Sequence, residues 1–287
     1  MKINTLLFIV SILGTINLSA QTNWKLNTDR ISSKWAKQVS PENVWQEYPR
    51  PQMVRDQWLN LNGLWDYSIT DSNKDYPGTM DGTVLVPFAV ESALSGVKKR
   101  ISEHNLLWYK RTFEIPASWK GKDILLHFGA VDWEASVYVN GILVGSHQGG
   151  YTPFSFDISH ALNTSGPQEL VVKVWDPTSN GTQPRGKQVV KPQGIWYTPV
   201  SGIWQTVWLE PVSNQSIASL RITPDVDNGL LKVKAVPKRN TVDGYEVVFE
   251  AYNGTTKVSS VESDLNTETS LRIENPSLWS PDNPFLY

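Results

Sequence analysis

The chain has 287 residues, of which 40% are hydrophobic and 11% aromatic, and this composition predicts a globular protein of about two domains. Its net charge is −2 and its basic residues are scattered, with 98–100 as the longest run, so the sequence excludes the charge pattern of a nucleic-acid-binding protein. The chain has no Cys, so burial of a core rather than disulfide bonding must stabilise it.

The first residues have the pattern of a secretory signal. Lys2 precedes an apolar stretch at 6–13, and the segment NLSA follows at 17–20 and ends in the small residues Ser19 and Ala20. A short apolar stretch between a basic residue and a small-residue cleavage site is typical of a signal peptide, and this stretch is too short to span a membrane. We therefore predict a signal peptide at 1–20, cleavage after Ala20, no membrane span, and export to the periplasm or the cell exterior.

Two regions of different amino-acid composition follow the predicted signal peptide. Residues 21–57 are polar with scattered Trp, which predicts an arm that packs along a larger unit. Between 58 and 212, short apolar runs recur between clusters of Gly, Pro, Asn and Asp, and no long amphipathic helical pattern interrupts them. Runs of this length and spacing predict β-strands, so we expect 58–212 to be an all-β domain.

The strongest local signal in this domain is a β-hairpin. Residues 135–140 alternate apolar and polar side chains, which is the period of a half-buried strand, and a second apolar run begins at Ile142. Asn140 and Gly141 lie between the two runs. Both central residues of a type I′ turn need positive φ, which Asn and Gly adopt with little strain. We therefore predict two antiparallel strands that meet at Asn140 and Gly141.

After Pro211 the composition changes. Residues 230–236 and 245–252 alternate apolar side chains with Lys, Glu and Tyr, and the segment as a whole is rich in Thr, Ser and Val. This alternation again predicts strands with one buried face. We expect a second β-domain over 213–287.

Phrases spread along the sequence resemble glycoside hydrolase family 2, the family of bacterial β-galactosidases, β-glucuronidases and β-mannosidases. Those that resemble its N-terminal sugar-binding domain are LNGLW at 61–65, WYKRTF at 108–113, the hairpin segment at 127–158 and SGIWQTVWLE at 201–210. A further phrase, PSLWSPDNPFLY at 276–287, resembles part of the family's immunoglobulin-like domain. The phrases stand in the family's order, which chance matches would not be expected to give.

The resemblance implies the fold and the domain order. It predicts a jelly-roll (galactose-binding-like) β-sandwich over 58–212 and an immunoglobulin-like β-sandwich over 213–287, the latter incomplete by about two strands. In the family a (β/α)₈ barrel comes next and carries both catalytic carboxylates. Nothing in this sequence alternates strands with helices as a barrel does. We therefore expect a truncated second sandwich, no barrel and no catalytic residue in this chain.

The resemblance also implies candidate substrate-binding residues. Asp176 matches an Asp that helps to hold a monovalent cation and substrate hydroxyls in related β-galactosidases, and a carboxylate suits both tasks. The alternative for Asp176 is a carboxylate that opens a turn before Pro177. An Asn beside the sugar in those enzymes matches His104 here, which departs from the family pattern, so either His104 or Asn105 takes that role.

The loop after Asp176 provides the remaining candidates. Arg185, Trp196 and Tyr197 lie on it, and a long loop in a compact domain often contributes to function. The alternative is a mobile surface loop. The four His residues lack paired metal-ligand spacing and no cofactor is evident, so a Na⁺ or Mg²⁺ ion in the full-length enzyme is expected from the resemblance alone.

The sequence therefore predicts the non-catalytic N-terminal part of an exported family 2 exo-glycosidase that hydrolyses terminal β-linked sugars, β-galactosides first. The alternative is a free-standing carbohydrate-binding module without hydrolase activity, since jelly-roll modules share the fold. A free module would be expected to end near Val212. The expected partners are an oligosaccharide or glycoside substrate, the catalytic barrel and further copies of the chain in a homo-oligomer, but no nucleic acid.

Overall fold

The computed structural model describes residues 24–29, 31–239 and 244–287. The predicted signal peptide lies outside the described residues. Strands dominate the described part, and its helices are 3₁₀ turns of three residues each, which confirms the all-β prediction. No helix in these ranges has the length and apolar character needed to cross a membrane.

A two-layer sandwich forms the first unit. Its strands are β1 (Leu59–Asn60), β2 (Gly63–Asp71), β3 (Gly82–Val86), β4 (Asn105–Phe113), β5 (Asp123–Phe128), β6 (Val131–Asp132), β7 (Glu134–Val139), β8 (Ile142–Gln148), β9 (Phe154–Asp157), β10 (Gln168–Trp175), β11 (Gly202–Ile203) and β12 (Val207–Val212). One sheet has the order β3-β2-β4-β10-β7-β8 and the other the order β1-β12-β5-β9. A separate short pair joins β6 to β11. All these neighbours run antiparallel, as the jelly-roll prediction requires.

Alternation along the strands places one face of each sheet in a shared core. The six-stranded sheet contributes Trp65, Leu107, Tyr109, Val137, Leu170 and Val172, and the four-stranded sheet contributes Leu126, Phe128, Val207 and Leu209. All of these side chains are buried. Because successive strand residues point to opposite faces, the residues between them must lie on the outer faces of the sandwich.

The predicted hairpin is confirmed. Strands β7 and β8 meet at Asn140 and Gly141, whose φ angles of 50° and 79° are both positive. The Asn140 side chain also fixes the turn to its surroundings: its Nδ2 donates to the Ala161 carbonyl at 2.8 Å, and its Oδ1 accepts from the Glu169 backbone N–H at 2.9 Å. Asn140 therefore serves both the turn and its attachment to β10.

A smaller sandwich follows. Its strands are β13 (Ile217–Asp225), β14 (Leu230–Pro237), β15 (Glu246–Asn253), β16 (Thr256–Asp264) and β17 (Thr269–Arg272), in the sheets β13-β14-β17 and β15-β16. Val233, Ala251 and Leu271 form its small core. This unit is the expected immunoglobulin-like sandwich. Lys238 connects it to the first unit, because its Nζ lies 2.9 Å from Asp123 and 2.6 Å from Asp157.

A buried ionic network attaches the N-terminal arm to the four-stranded sheet. Glu210 of β12 is fully buried, and its carboxylate accepts hydrogen bonds from the Tyr48 hydroxyl and the Trp208 indole. The Nη2 of Arg50 lies 2.8 Å and the Nε of Arg55 lies 3.0 Å from Glu210 Oε2. The arm therefore supplies the cations that balance a buried carboxylate of the sandwich.

His127 of β5 completes this network as a neutral ring. It stacks on Trp208 with ring centroids 4.7 Å apart, and its Nε2 lies 3.3 Å from Glu210. Burial lowers the pKa of His127, so the two arginines and not the imidazole balance the Glu210 charge at pH 7. Burial alone would raise the pKa of Glu210, but hydrogen bonds from its neighbours outweigh this effect and lower the pKa to about 2.

We predict that Glu210→Gln destabilises the chain, because it leaves two partly buried guanidinium groups without their counter-charge. Breaking a buried ion pair costs about 3–5 kcal/mol, and the partial exposure of both arginines reduces this to about 2 kcal/mol. The melting temperature at pH 7, followed by circular dichroism, should fall by roughly 5 °C.

The pH dependence of this difference follows from the Glu210 pKa. The folded-state pKa lies below the ordinary value of 4.5, so the stabilisation is present above pH 4.5 and is lost as the pH falls towards 2. The wild-type and Glu210→Gln melting temperatures should therefore converge over that interval. The exposed Glu114→Gln is the matched control, and an equal loss in both variants at pH 7 would contradict the assignment.

Candidate functional site

Loops at one end of the first sandwich meet in a single surface. The antiparallel register puts the starts of β4 and β7 beside the ends of β10 and β8. Two indoles join the loops there: Trp175 Nε1 donates to the Glu103 carbonyl at 2.9 Å, and Trp204 Nε1 donates to the Gly150 carbonyl at 2.7 Å. We call this surface the rim, and it is formed by loops 102–105, 149–153 and 176–201.

Three carboxyl groups are buried beneath the rim. Glu91, Asp132 and Asp176 are only 3%, 5% and 2% exposed. Ser201 joins two of them, because its backbone N–H donates to Glu91 Oε2 at 3.1 Å and its hydroxyl donates to Asp176 Oδ2 at 2.5 Å. Asp132 lies on β6, whose partner β11 begins directly after Ser201. We call these three residues the acid cluster.

Burial determines the protonation of the acid cluster. It raises the pKa of Glu91 to about 8. Burial, followed by the charge of Asp176, raises the pKa of Asp132 to about 7. Burial also raises the pKa of Asp176, although hydrogen bonds from Ser201 and Thr178 oppose the change. At pH 7 Glu91 is therefore mostly protonated, and the cluster carries fewer than three negative charges.

Asp176 has both carboxylate oxygens engaged within the chain. Its Oδ1 accepts from the Thr178 backbone N–H at 2.6 Å, and its Oδ2 accepts from the Ser201 hydroxyl. The first contact spans two residues, which is the turn-opening role that the sequence offered as an alternative. The role of Asp176 in holding substrate or a cation stays a prediction.

The oxygen donors around Asp176 fit a hard cation only in part. The carboxylate and the hydroxyls of Ser201 and Thr178 lie together, whereas Mg²⁺ demands near-octahedral oxygen coordination. A cation at this position would need further oxygen ligands from outside the group. Within the described ranges, no group of three or more His, Cys, Asp or Glu side chains is arranged to hold a metal ion.

The two candidate substrate-binding residues before β4, His104 and Asn105, have different surroundings. The His104 side chain is 82% exposed, and its Nε2 lies 3.4 Å from Glu103 Oε1. Asn105 Oδ1 accepts hydrogen bonds from the backbone N–H and the hydroxyl of Ser102, both at 3.0 Å. Asn105 therefore caps the turn into β4, and His104 is the candidate whose side chain reaches solvent. A substrate contact by either residue stays a prediction.

The long loop after Asp176 presents aromatic side chains at the rim. Trp196 and Tyr197 are 43% and 64% exposed, and Arg185 is half-buried. Backbone hydrogen bonds between Tyr197 and the 187–189 segment fold the loop back on itself. The loop therefore has a defined path, in which the segment that follows Arg185 pairs with Tyr197. The roles of Arg185, Trp196 and Tyr197 in substrate binding stay predictions.

Sequence reasoning missed Glu91 and Ser201. The available signal was a single charged residue directly after the apolar run 84–90, which marks Glu91 as a candidate for burial. Its partner could not be found in the same way, because Ser201 lies 110 residues away along the chain. Only the pairing of β6 with β11 brings Ser201 close to the acid cluster.

The geometry of the rim suits sugar binding better than catalysis. A retaining glycosidase needs two carboxyl groups about 5 Å apart that both reach the glycosidic bond. The carboxyls of the acid cluster are at most 5% exposed, so they do not meet this requirement. The exposed groups of the rim are instead aromatic or hydrogen-bonding side chains, as in the mixed lining of a small-molecule pocket.

We predict that Glu91→Gln makes the chain less sensitive to alkaline pH. The folded-state pKa of about 8 lies above the ordinary value of 4.5, so stability is complete below pH 4.5 and is lost as the pH rises through 8. Gln stays neutral and removes this loss, which is on the order of a few kcal/mol. Between pH 5 and 8.5 the variant's melting temperature should fall by roughly 5 °C less than that of the wild type.

The matched control is again the exposed Glu114→Gln, whose melting curve should follow the wild type across the same pH range. Parallel melting-temperature profiles for Glu91→Gln and the wild type would show that Glu91 ionises normally in the folded chain. That result would contradict the protonation that we assign to the acid cluster.

Comparison with protein families gives two adjoining matches. Residues 84–211 match the model described as glycosyl hydrolases family 2, sugar binding domain, and residues 215–287 match the model described as glycosyl hydrolases family 2. The two matches correspond to the larger and the smaller sandwich.

Individual relatives and solved structures agree with these matches. The chain is 27% identical over 254 residues to a β-galactosidase of Thermoanaerobacter pseudethanolicus, covering 80% of this chain and 32% of the relative. It is 24% identical over 265 residues to a β-glucuronidase of Paenibacillus borealis, covering 84% and 43%.

Two solved β-glucuronidases have a similar fold. That of Lactobacillus rhamnosus has a TM-score of 0.66 at 25% identity, covering 84% of this chain and 42% of its own. That of Ruminococcus gnavus has a TM-score of 0.65 at 22% identity, covering 84% and 43%, and this likeness concerns the fold alone. The chain spans less than half the length of each of these four proteins.

Proposed function

We propose, because this chain belongs to glycoside hydrolase family 2, that it is the non-catalytic N-terminal part of an exo-glycosidase that hydrolyses terminal β-linked sugars. The burial of the acid cluster carries this proposal. A chain that gathers its carboxyls beneath a surface, and exposes aromatic and hydrogen-bonding groups above them, is suited to line a sugar pocket whose catalytic carboxylates come from elsewhere. In the whole enzyme that source is the (β/α)₈ barrel.

We take β-galactosides as the first substrate class. The relative with 27% identity is named a β-galactosidase, and the match of Asp176 to the family's β-galactosidase pattern supports the same choice. β-Glucuronides are the second class, because other relatives carry that name. Assays with both classes of aryl glycoside decide between them.

The rim residues would bind the sugar through two kinds of contact, aromatic packing and hydrogen bonding. Trp196 and Tyr197 would pack against the C–H face of a pyranose, and His104 and Arg185 would donate hydrogen bonds to its hydroxyls. Asp176 is buried, so rearrangement of the rim against the barrel would first have to expose it. Its carboxylate would then use the lone pairs that Thr178 and Ser201 leave free to accept hydrogen bonds from vicinal hydroxyls and to bind a monovalent cation. Asn105 would act indirectly, by fixing the turn that presents His104.

We predict that the purified 287-residue chain does not hydrolyse p-nitrophenyl β-D-galactoside or the matching β-D-glucuronide, because its carboxyls do not reach a glycosidic bond. A longer protein that continues through the barrel should hydrolyse at least one of them. Release of p-nitrophenol measures both reactions. Turnover by the 287-residue chain at the rate of the longer protein would contradict the proposal.

Asp176 can be tested in the same longer protein. Asp176→Asn keeps the size of the side chain but removes its charge, so kcat/KM should fall roughly tenfold to hundredfold and any dependence on Na⁺ should weaken. The exposed Asp227→Asn of the second sandwich is the matched control and should behave as the wild type. Unchanged kcat/KM in Asp176→Asn would remove Asp176 from the substrate pocket.

We also propose that the protein is exported and works in the periplasm or outside the cell, on the basis of the basic, apolar and small-residue pattern at 1–20. Expression with its own N-terminus in a bacterial host should give a secreted form that begins at Gln21. N-terminal sequencing of the periplasmic and medium fractions measures this. A product that retains residue 1 and stays in the cytoplasm would contradict export.

A further inference from the structure

The outer face of the six-stranded sheet carries a groove of about 680 Å³. Its floor includes Trp108 of β4, Tyr138 of β7, and Val171 and Lys173 of β10. In the strand register Lys173 lies opposite Trp108, and Val171 lies opposite Tyr138. These residues alternate with core residues such as Val172, so their side chains point away from the core. We call this feature the outer groove.

Aromatic side chains form one wall and part of the floor of the outer groove. Tyr76, on the loop between β2 and β3, packs edge-to-face on Trp108 with ring centroids 5.3 Å apart. The Trp108 indole donates to the Thr70 hydroxyl at 3.1 Å, so its polar atom is satisfied within the sheet. Trp108 is 6% exposed and Tyr76 is 44% exposed. Trp108 therefore supports Tyr76, while Tyr76 and the half-exposed Tyr138 present their rings to the groove.

This composition is unusual for a solvated sheet face. The outer side of an antiparallel sheet is normally polar, because alternation sends apolar residues to the core. Here Leu106, Trp108, Tyr138 and Val171 lie together on the outer side. Trp108 and Val171 are 6% and 8% exposed, so the surface that this face offers to a ligand comes from the half-exposed Leu106 and Tyr138 and from the exposed Tyr76.

The outer groove is lined by two lysines that form no ion pair among the described residues, the exposed Lys74 and the half-buried Lys173, and by one exposed carboxylate, Asp75. Lys110 Nζ lies 2.6 Å from Glu169 Oε2, so these two side chains neutralise each other. Lys173 is half-buried on the floor, and among the described residues no carboxylate oxygen lies within 4.0 Å of its Nζ. A partly desolvated ammonium group beside aromatic rings favours an anionic ligand, because charge-assisted hydrogen bonds are the stronger ones.

We propose that the outer groove binds a short acidic glycan, with a sugar ring packed against Tyr76 and Tyr138 and a carboxylate of the glycan bonded to Lys173. A pyranose matches the mixture of aromatic and polar lining, and the volume falls within the roughly 300–1,000 Å³ of small-ligand pockets. The carboxylate supplies a counter-charge to Lys173, with which the exposed Asp75 of the same lining forms no ion pair.

The outer groove is independent of the proposed hydrolytic function. It lies on the face of the sheet, whereas the rim lies at the strand ends. Its ligand is detected by binding to the 287-residue chain, and hydrolysis is detected by turnover in a barrel-containing protein. A negative result for glycan binding in the outer groove would therefore not contradict the proposed hydrolysis, and a negative result for hydrolysis would not contradict the binding.

The test is a titration of the 287-residue chain with two matched trisaccharides, β-1,4-linked triglucuronic acid and cellotriose, followed by calorimetry and by NMR shifts. Triglucuronic acid should bind about tenfold more tightly than cellotriose, since one charge-assisted hydrogen bond distinguishes them. Lys173→Gln should remove that preference by weakening the acidic ligand about tenfold and leaving cellotriose within twofold.

Further variants separate the aromatic contribution from a folding defect. Tyr138→Ala and Tyr76→Ala should each weaken both trisaccharides by at least about fivefold, because both ligands pack on the same rings. Tyr76 is on an exposed loop, so its variant tests the groove even if Tyr138→Ala lowers the melting temperature. Lys234→Gln, a half-buried strand lysine of the second sandwich, is the matched control and should change nothing.

Several results would overturn the proposal. They are the absence of binding at millimolar trisaccharide, equal affinity for both trisaccharides, and an equal loss of affinity in Lys173→Gln and Lys234→Gln. Loss of binding in Asp176→Asn with none in Lys173→Gln would place the glycan at the rim instead, and would equally overturn it.

Discussion

The antiparallel register of β4, β10 and β7 is the constraint on which the rest of this structure depends. With Val172 opposite Tyr109 and Val137, the apolar residues of all three strands face the core together. The same register places Lys173 on the outer face and ends β10 at Trp175, directly before Asp176. A slip of one residue would exchange these faces and bury the lysine. The core, the outer groove and the position of the rim are therefore consequences of one pairing.

Buried carboxyls in this chain are either ionised or protonated, and the presence of nearby cations determines which form is favoured. Glu210 is fully buried yet ionised, because Arg50 and Arg55 of the arm balance its charge. Glu91 is similarly buried, but its hydrogen-bond partner is the neutral backbone N–H of Ser201, so burial favours its protonated form. An isolated buried charge costs far more than a neutral acid. Glu210 therefore stabilises the attachment of the arm. Glu91 places a polar but uncharged group beneath the rim.

The features that could be predicted from the sequence are those encoded within a few residues. The hairpin at Asn140 needed only a turn signal between two alternating runs, and the all-β fold needed only their repetition. The phrases that resemble the family's sugar-binding domain include strands of the first sandwich, whereas the phrase at 276–287 lies outside any strand. The acid cluster could not be predicted, because Ser201 meets Glu91 only through long-range strand pairing. Likewise, the sequence did not distinguish Asn105 from His104, since the difference lies in a hydrogen bond from Ser102.

Strand β10 links the two proposed carbohydrate surfaces. Lys173 of the outer groove and Asp176 of the rim are three residues apart, and an extended strand advances about 3.3 Å per residue, so their backbones are separated by roughly 10 Å. That distance is comparable to the length of a disaccharide. A polymeric glycan held in the outer groove would therefore keep its neighbouring sugars close to the rim, which raises their effective concentration there without any new contact. For an enzyme that removes terminal sugars, such a groove would raise the concentration of glycan chain ends near the rim and would leave the rate of the chemical step unchanged.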